Sequence, residues 1–547
     1  MKINKLYIVG VIPFLFAGCV DLDTMPEGGT LTSDQKEEIV KENPTRLAAE
    51  IAGMTASVGK QGCVFPNRNP FRDDDAGYPT VCLSQDLNGA DMVSDDSGYN
   101  WFSVSSGYDD RSETYANPYM RWAVFYNQLK LANDILEIIP EDTQNSLLLT
   151  YEGQAKATRA FDYLSLVPYF QFKYKGNEDK PSVPILTDRM TGDLTNNPRA
   201  SLRDVYALII KDLTAAIERL EGYRRVSKAE IDQQVAYGLR ARANLYMENW
   251  EAAAADAEEA MKGYTPYSMN DINKPGFISA NDPNWMWAII LNPINMPDPY
   301  PSWISVLGSF SADAYTCGVG CYKSINKLLY DKISSSDVRK GWWVDEKLHS
   351  PNLKDVTWGT AVGDSVARLK IANVKEAFLP YTNVKFGQYG YIGSDVNAGD
   401  WCMMRVEEML LIQAEAVGMT DLNRGKQLLE SFVKSYRDPD YTCTASDKES
   451  FQDAVWFQRR VELWGEGFAM ADIMRLSKPV VRFHPGKESN FPDAFRFNLA
   501  PTDEWLLMRI PQAETNNNRG IPRSANNNGG ALPEMEAGAN LRDGVTD

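Results

Sequence analysis

The sequence predicts a mostly α-helical protein with one large loop-rich insertion, at about residues 263–400. On both sides of that insertion, apolar residues recur every three or four positions, which is the spacing of one helix face. Inside it, prolines, glycines and aromatic residues are frequent and the helical period is lost. The 547 residues are 44% hydrophobic and 24% charged, a globular composition. The net charge, 56 − 74 = −18, repels phosphate backbones and argues against a nucleic-acid ligand.

Before the insertion, the apolar period predicts five helices. The first carries a stripe from Trp122 to Ile139 and ends at Pro140, and the second spans residues 151–167 and is closed by Pro168. Ser201 is the predicted N-cap of the third helix, and the fourth and fifth fill residues 231–262. In the fifth, Trp250 alternates with alanines, a pattern typical of the closely packed helix pairs of tetratricopeptide repeats.

After the insertion, three more helices are predicted, at residues 403–417, 422–436 and 451–476. Within the insertion, the run from Trp287 to Leu291 predicts a short strand. From Asn516 onward the chain is rich in asparagine and glycine, which predicts a loop.

The first residues predict export and lipidation. Lys2 and Lys5 precede an uncharged apolar stretch at residues 6–17, which is too short to span a bilayer and is typical of a signal peptide. The stretch ends in Phe16-Ala-Gly-Cys19, which resembles a bacterial lipobox. We therefore expect residues 1–18 to be removed, Cys19 to be acylated and residues 19–45 to act as a tether. A plain secretory signal, with Cys19 as a bystander, is the alternative.

Metal and cofactor sites find little support in the sequence. The two histidines, His349 and His484, cannot build a His-rich site, and no cofactor is predicted. Two acidic loop clusters, at residues 73–75 and 95–96, could hold a structural calcium ion, but they lack the spaced acids of a calcium-binding hand, and solvated loops are favoured. The remaining six cysteines permit disulfides, and Cys317 and Cys321 are the nearest pair.

A catalytic centre is also not apparent. The chain has no P-loop, GxGxxG, HExxH or GxSxG motif. Glu462 and Glu466 lie one turn apart on a predicted helix, where they could be read as the acid pair of a glycosidase. Catalytic carboxylates must approach a bond from opposite sides, so we favour a buried charge network. The other members that helical spacing predicts for this network are Arg459, Arg460, Arg475 and Asp472.

Aromatic residues in loops predict a ligand platform. Flat rings stack on the apolar face of a sugar, and neighbouring amides bond its hydroxyl groups. The alternative is that these rings only pack loops onto the helical body, which also applies to Tyr322, Trp342 and Trp343. The candidate ligand-binding residues are Tyr99, Asn100, Trp101, Tyr108, Trp303 and Tyr315.

Ordered segments along the chain resemble the SusD/RagB family, the surface nutrient-binding lipoproteins of Bacteroidetes. Departures from the family pattern are Ala469 and Met470 in place of an arginine, and Arg509 in place of a proline. The matching segments are Cys19 with the acids after it, Gln154 to Leu164, Arg405 to Ala416, Arg460 to Arg475, and Ile510 to Asn516.

The resemblance implies a SusD-like fold with four tetratricopeptide-like units and a variable ligand-binding part, in one domain at residues 46–547. It also implies a surface-exposed outer-membrane lipoprotein that captures oligosaccharide without hydrolysing it. The implied partner is a SusC-like TonB-dependent transporter. Capture of peptides, glycoside hydrolysis and a scaffold without a small ligand remain as alternatives.

Overall fold

The computed structural model describes residues 31–69, 71–94, 102–190, 193–291, 307–310, 322–354, 357–358, 361–362, 379–389, 399–529 and 532–547. Within these ranges the protein has 15 α-helices and six short strands, so the predicted mostly helical class is confirmed. None of the helices in the described ranges is both long and apolar enough to cross a membrane.

Consecutive helices pack on one another through the first half of the chain: α5 on α6, α6 on α7, α7 on α8 and α8 on α9. Ser201 caps α7 as predicted, because its side chain accepts the backbone N–H of Asp204. The repeat-like nature of these pairs stays a prediction. The helices are α1 (Ser33–Glu42), α2 (Ala48–Ser57), α3 (Tyr78–Asn88), α4 (Ser103–Gly107), α5 (Ala116–Glu137), α6 (Ser146–Phe170), α7 (Leu202–Arg219), α8 (Gln233–Tyr246) and α9 (Trp250–Ala260).

The second half adds a shorter group of helices, of which α11 packs on α9, α12 and α13. Helix α12 has the predicted bounds, whereas α11 begins three residues later than predicted because residues 401–405 form a strand. The helices are α10 (Lys327–Tyr330), α11 (Val406–Thr420), α12 (Leu422–Tyr436), α13 (Lys448–Glu462), α14 (Ala469–Leu476) and α15 (Gln512–Asn517).

Helix α6 continues through Pro168, which the sequence predicts as its end. Proline lacks an N–H and crowds the carbonyl four residues earlier, so it normally stops a helix. Here only the last turn is affected. That turn is held by Phe170, which is fully buried and lies edge-on against Trp122 with the ring centres 5.0 Å apart. Tertiary packing thus compensates for the local cost.

The predicted single helix at residues 451–476 is two helices, α13 and α14. Gly465 (φ 81°) and Gly467 (φ 88°) adopt the left-handed conformation and end the helical path. A Cβ at position 467 would also lie 2.5 Å from the Cβ of Cys82. The Asp86 carboxylate accepts the N–H groups of Gly467 and Ala469, so α3 fixes the break.

Three pairs of short antiparallel strands complete the fold. β1 (Met92–Val93) pairs with β3 (Ser324–Ile325), and β4 (Thr357–Trp358) pairs with β5 (Ala361–Val362). β2 (Trp285–Ile289), two residues earlier than predicted, pairs with β6 (Trp401–Arg405). The β2–β6 pair is buried among the helices, and its residues are apolar except for Arg405 at the end of β6.

Candidate functional site

The β1–β3 pair brings together the described chain ends that adjoin two of the predicted ligand segments. Met92 pairs with Ile325 and Val93 with Ser324 in antiparallel register. The chain continuing forward from Val93 and the chain running backward from Ser324 therefore leave the same end of the pair, about 5 Å apart. Forward lies the segment at 95–101 and backward the segment at 311–321. Tyr99, Asn100, Trp101 and Tyr315 themselves lie outside the described residues.

Leu307, the first described residue after the third predicted segment at 292–306, is linked to β3 through Asn383; β1, β3 and Asn383 are called the framework below. Asn383 donates from Nδ2 to the carbonyl oxygens of Leu307 (3.1 Å) and Lys323 (2.9 Å). The buried side chain of Asn383 thus links Leu307, which follows the segment that carries Trp303, to Lys323, which precedes β3. Trp303 lies outside the described residues. Chain ends adjoining all three aromatic segments are therefore joined through β1, β3 and Asn383.

Buried polar contacts hold this framework rigidly. Asn326 donates to the carbonyl of Ala90 (2.9 Å), and Trp464 donates to the carbonyl of Asp91 (3.0 Å). The Asp91 carboxylate pairs with the buried Arg460 guanidinium at 2.6 Å. A binding site gains precision when its supporting residues are locked in this way.

Tyr108 is not a ligand residue, which corrects the sequence prediction. Its side chain is fully buried, and its hydroxyl donates to the carbonyl of Asn88 at 2.6 Å. The ring packs edge-on against Phe497, and the Arg111 and Arg482 guanidinium groups lie within 4.7 and 5.5 Å of its centre. Helix α4 turns the chain back into the core just before this residue, so the ring has no free face for a sugar.

Three other loop aromatics are also core residues. Tyr322 is buried, and Trp342 and Trp343 are fully so. Trp342 donates from Nε1 to the carbonyl of Ile272 (3.2 Å), and Trp343 packs edge-on against Trp464 with the ring centres 5.5 Å apart. For these residues the packing alternative is correct. By contrast, Tyr115, the loop residue directly before α5, is 49% exposed.

Glu462 and Glu466 form the buried charge network that the sequence favours. Glu462 accepts from Arg405 (2.7 Å), Arg437 (2.7 Å) and Arg339 (3.1 Å). Glu466 accepts from Arg405 (2.8 Å) and Lys385 (2.7 Å). All of these side chains are buried. With Asp337 and Glu407, the network has four cations and four carboxylates, and this balance of charge is what burial requires.

The electrostatics of this network leave no acid for glycosidase chemistry. Burial alone would raise the pKa of the Glu462 carboxyl, but the Arg437, Arg405 and Arg339 guanidinium groups hold the pKa well below its usual value. The pKa of Glu466 is also lowered, against burial, mainly by Arg405 and Lys385. Both groups stay ionised at neutral pH, whereas a general acid must carry a proton.

The predicted membership of the network is wrong, because none of the four predicted members binds Glu462 or Glu466. Arg459 and Arg475 both bind Asp472 (2.7 Å each), and Arg475 also binds Glu415 (2.6 Å). Arg460 binds Asp91 and Asp543 instead. Helical spacing identifies residues on one face but not partners from other elements. The cations that hold Glu462 and Glu466 come from distant positions, and sequence reasoning missed them.

The prediction of a solvated acidic loop at residues 73–75 is wrong, and the second acidic cluster, at residues 95–96, lies outside the described residues. Asp74 and Asp75 are buried, not solvated: Asp74 pairs with Arg72 (2.8 Å), and Asp75 accepts the N–H groups of Val64 and Phe65. Within the described ranges, no group of three or more acidic, cysteine or histidine side chains could hold a metal ion. Cysteines 63, 82, 402 and 443 are free thiols, and Cys317 and Cys321 lie outside the described residues.

Comparison with known proteins identifies the relatives of this chain. A family model described as starch-binding and associating with the outer membrane matches residues 80–245, and the model of the SusD family matches residues 354–529. A SusD-like protein of Formosa agariphila, P38, is 22% identical over 400 residues, which cover 66% of this chain and 73% of that protein.

Solved structures share the fold. A SusD-like carbohydrate-binding protein from Bacteroides vulgatus superposes with a TM-score of 0.70 at 23% identity, covering 87% of this chain and 96% of that one. A SusD superfamily protein from Bacteroides thetaiotaomicron superposes with a TM-score of 0.66 at 19% identity, covering 88% and 99%. These matches agree with the helical fold described above. The two family models, which match residues 80–245 and 354–529, show that the chain belongs to the SusD/RagB family.

Proposed function

We propose that this protein is a surface lipoprotein of the outer membrane that binds an oligo- or polysaccharide and passes it to a TonB-dependent transporter. The observation that carries the binding proposal is the shared framework of β1, β3 and Asn383. It joins chain ends adjoining the segments that carry Trp101, Trp303 and Tyr315. Aromatic rings from several segments can then meet one sugar chain, which single rings bind only weakly.

The proposed mechanism is physical capture. Lipid on Cys19 keeps the protein at the membrane surface. Aromatic rings at positions 99, 101, 303 and 315 stack on sugar faces, and the Asn100 amide bonds hydroxyl groups. The ionised, fully paired state of Glu462 and Glu466 argues against hydrolysis. The family model for residues 80–245, described as associating with the outer membrane, supports the proposed location.

The proposal is tested by offering the mature chain a panel of glycans and peptides. Affinity electrophoresis and calorimetry measure binding, and chromatography of the recovered glycan measures cleavage. We expect one glycan class to bind and to be recovered intact. Binding of peptides alone would contradict the sugar proposal. Peptides are included in the panel because a net charge of −18 also favours cationic peptides as ligands. Release of shorter sugars would contradict the non-catalytic mechanism.

A further inference from the structure

A cavity of about 520 Å³ lies between α2, α5, α6 and β2. This volume is within the range of about 300–1,000 Å³ that is typical of small-molecule sites. The deeper wall of the cavity is apolar and includes Ile51, Trp287 and Ile289, all of them buried. Exposed alanines at positions 48, 52 and 56 line it on α2, so that side is open to solvent. None of the residues of β1 or β3 lines it.

One wall of this cavity carries an unused hydrogen-bond acceptor. Gln128 is 4% exposed, and its Nε2 donates to the carbonyl oxygen of Met54 at 2.9 Å. A carbonyl can only accept, so this bond fixes which end of the amide is the oxygen. That oxygen, Oε1, is buried and has no partner among the described residues. A buried acceptor without a donor is unfavourable, and a hydrogen bond from a ligand N–H or O–H would satisfy it.

The charge of the cavity is negative. Among the described residues that line it, Glu230 is the one with a formal charge. Its Oε2 accepts the Tyr223 hydroxyl (2.6 Å) and the Val226 N–H (3.2 Å). Burial, then the nearby Glu230 carboxylate, raise the pKa of Tyr223, so the phenol remains a neutral donor. The polar groups of the cavity thus favour a ligand that donates hydrogen bonds and is positively charged.

We propose that this cavity binds a small organic amine with an aromatic body. The body would pack against Trp287 and Ile289, while the ammonium group would face the Glu230 carboxylate and a donor group would reach Gln128 Oε1. Among the described residues, the cavity lining has no member in common with β1, β3 or Asn383, so each proposal has its own test.

Three ligands that share one body test the proposal: tryptamine (cation), 3-ethylindole (neutral) and indole-3-propionate (anion). Titration calorimetry of the mature chain should show saturable binding in the order tryptamine, 3-ethylindole, indole-3-propionate. Glu230→Gln keeps the shape and the bond from Tyr223 but removes the charge. It should weaken tryptamine binding about tenfold, the loss of one charge-assisted hydrogen bond, and leave 3-ethylindole binding unchanged.

Two matched variants on α2 test the location. Ala52→Trp fills the cavity from its open side and should abolish tryptamine binding. Ala49→Trp lies on the same exposed helix but outside the lining, and it should have no effect. Absence of saturable tryptamine binding, equal binding of the three ligands, or equal effects of the two α2 variants would overturn the proposal. Trp101→Ala should leave tryptamine binding intact even if the glycan proposal fails.

Discussion

Asp162 on α6 is a fully buried carboxyl group whose two oxygens have no partner among the described residues. Burial raises the pKa of this carboxyl well above its usual value, so the native protein keeps the proton to a higher pH than the unfolded chain does. In the unfolded chain the same group ionises near pH 4. Between those two pKa values, unfolding releases a proton, and the contribution of Asp162 to stability falls as the pH rises.

Asp162→Asn should therefore gain stability relative to the parent protein as the pH increases above about 4. The expected slope is about 1.4 kcal/mol per pH unit, up to the pKa of the native carboxyl. Urea unfolding at pH 5 and pH 7.5 measures this difference. Asp179→Asn, at a side chain that is 85% exposed, is the control and should show no such slope. Parallel pH dependences for the two variants would mean that Asp162 is ionised in the native state.

Glu466→Ala should destabilise the protein by about 3–5 kcal/mol, because it leaves Arg405 and Lys385 buried with too little negative charge. The measurement is the free energy of unfolding in urea. Lys130→Ala removes an exposed ion pair with Asp134 and should cost less than about 1 kcal/mol. A small effect of Glu466→Ala would show that water reaches this network.

Trp101→Ala should lower glycan affinity while the melting temperature stays nearly constant. The reason is that a ring serving as a ligand platform contributes little to the core. Trp343→Ala is the opposite case: Trp343 is fully buried, and its truncation should cost about 3–5 kcal/mol. Calorimetric titration and thermal unfolding of both variants separate the two roles. Unfolding of the Trp101 variant would assign that residue to the core.

Among the helices, α11 and α12 approach so closely that glycine is required at position 425 of α12. A Cβ at Gly425 on α12 would overlap the Cα of Gly418 on α11 and lie 3.0 Å from the Ala414 carbonyl oxygen. Both clashes involve backbone, which cannot move without separating the helices. Glycine weakens a helix by its flexibility, so its presence here is explained by packing.

Gly425→Ala should therefore destabilise the protein, by about 1–3 kcal/mol for overpacking. Gly53→Ala is the matched comparison within α2, where an added Cβ has nothing within 4 Å. There the change should stabilise by about 0.5–1 kcal/mol, through helix propensity alone. Chemical unfolding of both variants measures the two effects. If Gly425→Ala were also stabilising, the two helices would be free to move apart.

At the scale of the whole molecule, the proposed attachment to the membrane depends on Cys19. Cys19→Ser should abolish labelling by radioactive fatty acid and release the protein from the outer-membrane fraction, because no acyl chain can be attached. Cys402→Ser, a free thiol in β6, should keep both labelling and location. Unchanged labelling of the Cys19 variant would favour the plain secretory signal or a different acylated residue.

The parts of this fold that depend on local pattern were predictable. The bounds of α12, the Ser201 cap and the helical class follow from apolar spacing and capping chemistry, which act over a few residues. The failures are places where distant residues override local preference. Pro168 stays helical because Phe170 packs on Trp122, and the α13–α14 break is set by contacts with Asp86 and Cys82.

Local pattern is enough to predict the helical class, the resemblance to the family and the aromatic segments on which the glycan hypothesis rests. The folded structure shows which loop aromatics are core, as with Tyr108 and Trp343, and which cations hold Glu462 and Glu466. It also revealed the cavity beside Gln128 and Glu230. The physical reason is that burial and charge pairing depend on residues far apart in the chain, about which local periodicity carries no information.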